Sequence, residues 1–134
     1  MSISVNIQHN LSIRIFLNIF YQETVDAFKA AQENDIALIT FEGVRSRWSP
    51  EIIRKRSKLV EKIQFITDQE TTMTMAALRF ILSYPEVSTV IPGVRNSTQL
   101  IENISASADV MPKDQVKKLQ ELWETDIKFQ NLGW

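Results

Sequence analysis

The residues best placed to do chemistry lie together in Val90-Ile91-Pro92-Gly93-Val94-Arg95-Asn96-Ser97-Thr98-Gln99-Leu100-Ile101-Glu102-Asn103. An apolar strand ends at Pro92, Gly93 permits a tight turn, and Asn96 with Gln99 three residues later has capping-box spacing. A helix therefore starts just beyond the strand's C-terminal end. Such a start carries unpaired N–H donors and a partial positive charge, and Arg95 beside it adds a fork-shaped donor suited to phosphate. Gln99, Glu102 and Asn103 are three and four apart, so a helix presents their amides and carboxylate toward one region. The chemistry implied is anion or nucleotide binding; the plainer reading is that Asn96 caps a helix and Arg95 is solvated.

Other groupings carry less. Arg45, Arg47, Arg54, Lys55, Arg56, Lys58 and Lys62 form a basic run against Glu51 and Glu61. With only Trp48 as an interleaved aromatic, it reads as a solvated helix face rather than a nucleic-acid surface. Glu121, Glu124 and Asp126 read as surface charge, since paired acids need a cleft before they suggest proton transfer. The chain has no cysteine and one histidine, His9, which excludes disulfides, thiolate nucleophiles and a histidine-based metal site. With 15 basic and 16 acidic side chains the 134 residues carry a formal charge of −1, so no global field draws the chain to nucleic acid or an anionic membrane. The apolar N-terminal stretch is broken by Asn6, Gln8, His9, Asn10, Arg14 and Asn18, short of the roughly 18 residues that a span requires. No secretory pattern follows it, and a reducing, cytoplasmic setting is expected.

The elements that must position the Pro92–Asn103 segment follow from periodicity. Ser12 to Asn18, Ile36 to Thr40 and Val87 to Pro92 read as strands, the latter two as near-continuous apolar runs of the kind covered on both faces. Gln22 to Asn34 reads as a helix through Val25, Phe28 and Ala31. Ser49-Pro50 starts another, with Ile52, Leu59, Ile63 and Ile66 on one stripe to about Thr67. Thr71 or Thr72 caps a third, through Met75, Leu78, Ile81 and Leu82, which ends before Pro85. Helices from Ser97 to Ala106 and from Pro112 onward complete the order β-α-β-α-α-β-α-α. Strands alternating with helices imply parallel pairing. Periodicity alone leaves open a small doubly wound sheet and a piece of a barrel.

VSTVIPGVRNSTQLIENISA, preceded by MAALRFILSYPE, resembles the C-terminal portion of the aldo-keto reductases. That family shows a helix of the form A-x-R-(F/W)-x-L, a strand ending I-P-G, then Arg and a Q-x-x-E-N helix. The likeness covers roughly residues 18–134, leaving 1–17 as a divergent N-terminal segment. It implies an α/β fold, a partial (β/α)8 TIM barrel with about three parallel strands, and an NADP(H) cofactor used to reduce aldehydes and ketones. Pro92, Gly93 and Arg95 would lie at the adenosine 2′-phosphate, with Gln99, Glu102 and Asn103 on the adenine and ribose side.

The departures from the family matter as well. The catalytic Asp, Tyr, Lys and His of the family come from the first four barrel strands, and no residue here takes their roles, His9 and Tyr21 included. The P-L-x-x-G loop after the seventh strand gives way to Phe41-Glu42-Gly43-Val44-Arg45-Ser46-Arg47-Trp48. Arg14 stands where relatives place a nicotinamide-facing Gln, and Phe41 falls near the position that packs on the nicotinamide. The resemblance thus implies a truncated reductase, inactive alone. Its expected partners are the dinucleotide and either a second copy or a polypeptide supplying the missing half-barrel, with no nucleic acid and no membrane. A non-catalytic nucleotide-binding or interaction half-barrel, and the remnant of a truncated gene, are the alternatives.

Overall fold

The computed structural model describes residues 12–34, 36–41 and 49–132. Each helix start that the sequence spells out is built as the chemistry requires. Ser49 Oγ accepts from the Ile52 N–H at 3.3 Å and Pro50 occupies the first turn of α2 (Pro50–Lys62). Thr72, of the two candidates, caps α3 (Met73–Leu82), its hydroxyl accepting from Met75 N–H at 3.2 Å. Asn96 Oδ1 caps α4 (Ser97–Ala106), and α5 (Lys113–Thr125) follows Pro112. The first helix is split into a single 3-10 turn at Glu23–Val25 and α1 (Asp26–Glu33). The second is shorter than its apolar stripe suggests. α2 closes at Ile63 and a 3-10 turn, Gln64–Ile66, carries the chain on, which still leaves Ile63 and Ile66 buried on the same side.

β1 (Ser12–Phe16), β2 (Ala37–Phe41) and β3 (Val87–Ile91) form one parallel sheet in the order β1-β2-β3. Consecutive order with helical crossovers is the winding of a barrel; a doubly wound sheet reverses order and carries helices on both faces. Leu38 is 1% exposed beneath the helices, and Val87 and Val90 pack on the same core. Between Leu38 and Ile39 the register shifts: Leu38 faces Val87 and Ile39 faces Thr89, so Ser88 has no counterpart on β2.

The expectation that β3 is covered on both faces is not met. Ser88 and Thr89 are exposed and Ile91 is half open to solvent, because this chain's helices lie on one side and a barrel fills its other side with residues from further strands.

The main core joins Leu17, Phe28, Leu38, Ile63, Phe80, Ile81 and Leu119, with Phe80 and Phe28 each set edge-on to Tyr84 at 5.5 and 5.2 Å. A second cluster, Leu59, Trp123, Ile127 and Leu132, docks the C-terminal tail. Leu78 and Ile81 of α3 are buried as expected, whereas Met75 is only half-buried and Leu82 at the helix end is 36% exposed. No helix among the described residues is long and apolar enough to cross a membrane.

Candidate functional site at the β3–α4 corner

β3 delivers the chain to the C-terminal rim of the sheet, and five residues later α4 begins. Asn96 Oδ1 accepts from Gln99 N–H at 2.9 Å, and Gln99 Oε1 accepts from Arg95 N–H at 2.8 Å. This is a capping box displaced by one residue, because Gln reaches past the cap to the N–H before it. It fixes the entry to the helix and leaves the first-turn donors of Ser97 and Thr98 directed outward. The Arg95 side chain is exposed, and none of the ion pairs among the described residues uses it.

The other expected site residues divide between binding surface and scaffold. Pro92 is half-buried and Gly93 exposed; both line a pocket of about 300 Å³. Gly93 needs no left-handed backbone, and a Cβ there would meet nothing within 4 Å, so the turn tolerates this glycine rather than requiring it. Asn103 lines the same pocket from α4. Gln99 has one amide oxygen committed to the cap. Glu102 is drawn into the scaffold: it accepts a 2.5 Å hydrogen bond from the Thr72 hydroxyl, so the N-cap of α3 is tied to α4.

Sequence reasoning missed one residue of this corner. Asn18 is 5% exposed and lines the pocket. Its backbone N–H and C=O pair with Tyr21 at 3.1 Å each, and its Oδ1 accepts from Phe20 N–H at 2.8 Å. That last bond fixes the amide's orientation and leaves Nδ2 without a partner among the described residues. A buried donor left unpaired costs about 1–3 kcal/mol, so the pocket calls for an acceptor. None of the described residues lining it is ionisable. The only hint in the sequence is a polar residue closing an otherwise apolar strand, which does not separate a turn former from a pocket donor.

The remaining candidates resolve into structure. Of the basic run, Arg54 and Lys58 are exposed, but Arg56 is buried and donates from Nε and Nη2 to the Leu132 carbonyl at 2.9 and 2.5 Å. It clamps the tail, which corrects the reading of the whole run as a solvated face. Asp126 pairs with Lys62 at 2.5 Å instead of standing free. Lys62 and Gln130, donating to it, hold its carboxyl below the usual range. Tyr21 donates to Glu23 at 3.2 Å and lies 6.3 Å from Trp123, and burial pushes the Tyr84 hydroxyl above its ordinary value. Arg45, Arg47, Trp48 and His9, and the side chains of Arg14 and Phe41, lie outside what the structure describes. Among the described residues no group of three His, Cys, Asp or Glu side chains is placed to hold a metal.

A larger hollow of about 510 Å³ lies elsewhere, lined by Gln22, Tyr84, Gln120 and Trp123 among others, and shares no residue with the corner.

The model of the aldo/keto reductase family matches residues 10–124. The fold is similar to that of the aldo-keto reductase AKR11C1 from Bacillus halodurans in its holo form. That similarity has a TM-score of 0.66 at 20% identity and covers 84% of this chain and 42% of the other. It is also similar to the thermostable aldo-keto reductase Tm1743 solved with the inhibitor epalrestat, with a TM-score of 0.59 at 18% identity, over 83% of this chain and 39% of the other. The chain thus spans about two fifths of the length of these structures. A search of curated proteins finds no match.

Proposed function

The chain belongs to the aldo/keto reductase family, and from that premise we propose that its β3–α4 corner grips the adenosine-phosphate end of NADP(H) while the 134-residue chain alone reduces no carbonyl. The observation that carries the first part is the exposed, unpaired Arg95 guanidinium beside the fixed start of α4, next to a pocket holding an unsatisfied amide. The donor set fits the group. A guanidinium and first-turn N–H groups suit a phosphate, and the uncharged pocket with Asn18 Nδ2 and Asn103 suits the acceptor nitrogens of a heteroaromatic base. Gln99 retains its Nε2 donor for the ribose side, and Glu102, fastened to Thr72, braces the helix that presents the others.

When bound, the nicotinamide supplies hydride; the reaction also needs a proton donor held at the carbonyl oxygen. The two tyrosines of this chain do not serve. Tyr21 is engaged with Glu23 and Tyr84 is packed in the core, and neither lines the pocket beside Asn18. On this reading the described residues bind and orient, and none of the described residues lining the pocket is ionisable or placed to move the proton.

Fluorescence titration with NADPH and NADH tests the reading. Arg95→Ala removes a charge-assisted pair worth about 1.5–3 kcal/mol, so NADPH binding weakens by about 10- to 150-fold. NADH, which lacks the 2′-phosphate, changes less than about twofold. Equal loss for both cofactors, or no preference in the unaltered chain, overturns the assignment. Oxidation of NADPH with a generic aldehyde near the ordinary enzymatic rate of about 10 per second overturns the second part.

A further inference from the structure

The hollow of about 510 Å³ lies where the start of α1 meets the end of α5, away from the nucleotide corner. Its volume falls within the roughly 300–1,000 Å³ that small-ligand pockets occupy. Part of its lining is aromatic: Trp123, with the Tyr21 ring 6.3 Å away, and Phe129, which is 75% exposed. Another part is rich in hydrogen-bond acceptors, through Gln22 and the carboxylates of Glu23, Asp26 and Glu124. Carboxylates at the start of α1 are ordinary in themselves, because a helix start favours negative charge. Gln22 is not explained that way. It is 5% exposed, and its Nε2 donates to the Ile19 carbonyl at 2.9 Å and to the Leu119 carbonyl at 3.5 Å. Both amide hydrogens are thus spent inward. Oε1 is the end left for the hollow, and no hydrogen bond among the described residues reaches it. A buried acceptor in that position calls for a donor.

Charge decides what kind of donor fits. Among the described residues lining the hollow Lys128 is the only base, and it is already committed: it donates to Glu124, and its ammonium stands 5.3 Å from the centre of the Phe129 ring. Glu23 takes the Tyr21 hydroxyl at 3.2 Å, and no ion pair among the described residues uses Glu23 or Asp26. Such a lining repels an anion, and a wholly apolar ligand leaves the Gln22 oxygen unpaired. We propose that this hollow binds a small organic cation, an ammonium group on an aromatic body, its charge held by Gln22 Oε1 with the Glu23 and Asp26 carboxylates and its ring against Trp123 and Phe129. An ammonium brings donors to a set made of acceptors, and the aromatic walls both bury the ligand's ring and attract its charge. Lys128 over Phe129 is the protein's own instance of that attraction. The hollow shares no residue with the pocket at Asn18, so this site and the nucleotide site stand or fall separately.

Calorimetric titration of the 134-residue chain with 2-phenylethylamine tests the proposal, alongside chemical-shift changes at the Trp123 indole and the Phe129 ring. Saturable one-to-one binding is expected, with both rings shifted. The alcohol 2-phenylethanol keeps the ring and loses the charge, and binds at least about tenfold more weakly; butylamine keeps the charge and loses the ring, and binds about fivefold more weakly. The double variant Glu23→Gln, Asp26→Asn weakens the amine at least about fivefold. Both positions are exposed, so the variant keeps the circular dichroism and unfolding cooperativity of the parent. Glu61→Gln with Asp114→Asn removes the same charge from exposed positions outside the hollow, and changes binding by less than about twofold. Four results overturn the proposal: no saturable binding, equal affinity for the amine and the alcohol, equal loss in the two double variants, or shifts that miss Trp123 and Phe129.

Discussion

Replacing Arg56 by alanine offers the sharpest reading of how this chain holds together. Arg56 sits in a basic run, is 9% exposed, and directs two N–H groups to the carbonyl of Leu132, 76 residues away. Burial lowers its pKa from the ordinary arginine value, a sign that the charge is held out of water. Leu132 itself is 2% exposed against Leu59, Trp123 and Ile127. Charge-assisted hydrogen bonds contribute about 1.5–3 kcal/mol, and the carbonyl they leave behind is buried with the tail. Arg56→Ala is therefore expected to cost about 2–3 kcal/mol. For a chain of this size that corresponds to a Tm lowered by roughly 6–15 °C. Arg56→Lys, which keeps the charge and loses the planar fork, costs about half as much. The discriminating measurement repeats Arg56→Ala in a chain ending at Gln130. If the arginine acts by holding the tail, its replacement there costs less than about 0.5 kcal/mol. An unchanged Tm in the full chain, or an equal loss in the shortened one, refutes the reasoning.

Two further predictions concern the corner and the C-terminal helix. Asn96→Ala removes the cap of α4 and costs about 1 kcal/mol in thermal unfolding, whereas Asn96→Asp keeps the cap but sets a carboxylate beside the phosphate region. NADPH binding to the aspartate variant falls several-fold while Tm holds, and the reverse pattern contradicts the placement of the site. Asp126, its carboxyl held below the usual range by Lys62 and Gln130, contributes stability above the unfolded carboxyl value of about 3.9. That contribution is lost as pH falls through its lower folded value. Asp126→Asn should thus be less stable than the parent by up to about 1 kcal/mol near neutrality, the gap closing in acid. A gap in Tm that stays constant from neutral pH to about pH 2 contradicts it.

Much of the fold is written locally, and those parts are legible. Ser49-Pro50, Thr72 and Asn96 with Gln99 state where helices begin, because each cap is a contact between residues three apart. The α4 bounds, Ser97–Ala106, agree with the spacing for the same reason. What the sequence concealed was set at long range. Arg56 looks like its neighbours Arg54 and Lys58 until the tail arrives over it. Val87 to Ile91 reads as a strand covered twice, but apolar composition shows only that a face prefers cover, and the cover on β3's second face does not come from these helices. Leu100, Ile101 and Ile104, exposed on α4, show the same separation between a residue's preference and what the fold supplies. At the candidate site, the Arg95 and Asn96 pattern was visible, while Asn18 was not, because an orphaned amide is defined by the partners it lacks.

The unmatched Ser88 sets the phase of everything that follows it. Side chains alternate along a regular strand, so Val87 and Val90, three apart, could not both face the helices; the extra residue keeps Ser88 and Thr89 outward together and returns Val90 to the helix layer. Paired without the bulge, Thr89 would enter that layer, Val90 would leave it, and the chain would quit the sheet facing the opposite way. That single irregular step in a five-residue strand thus decides which way the chain faces as it leaves the sheet for Arg95 and the start of α4.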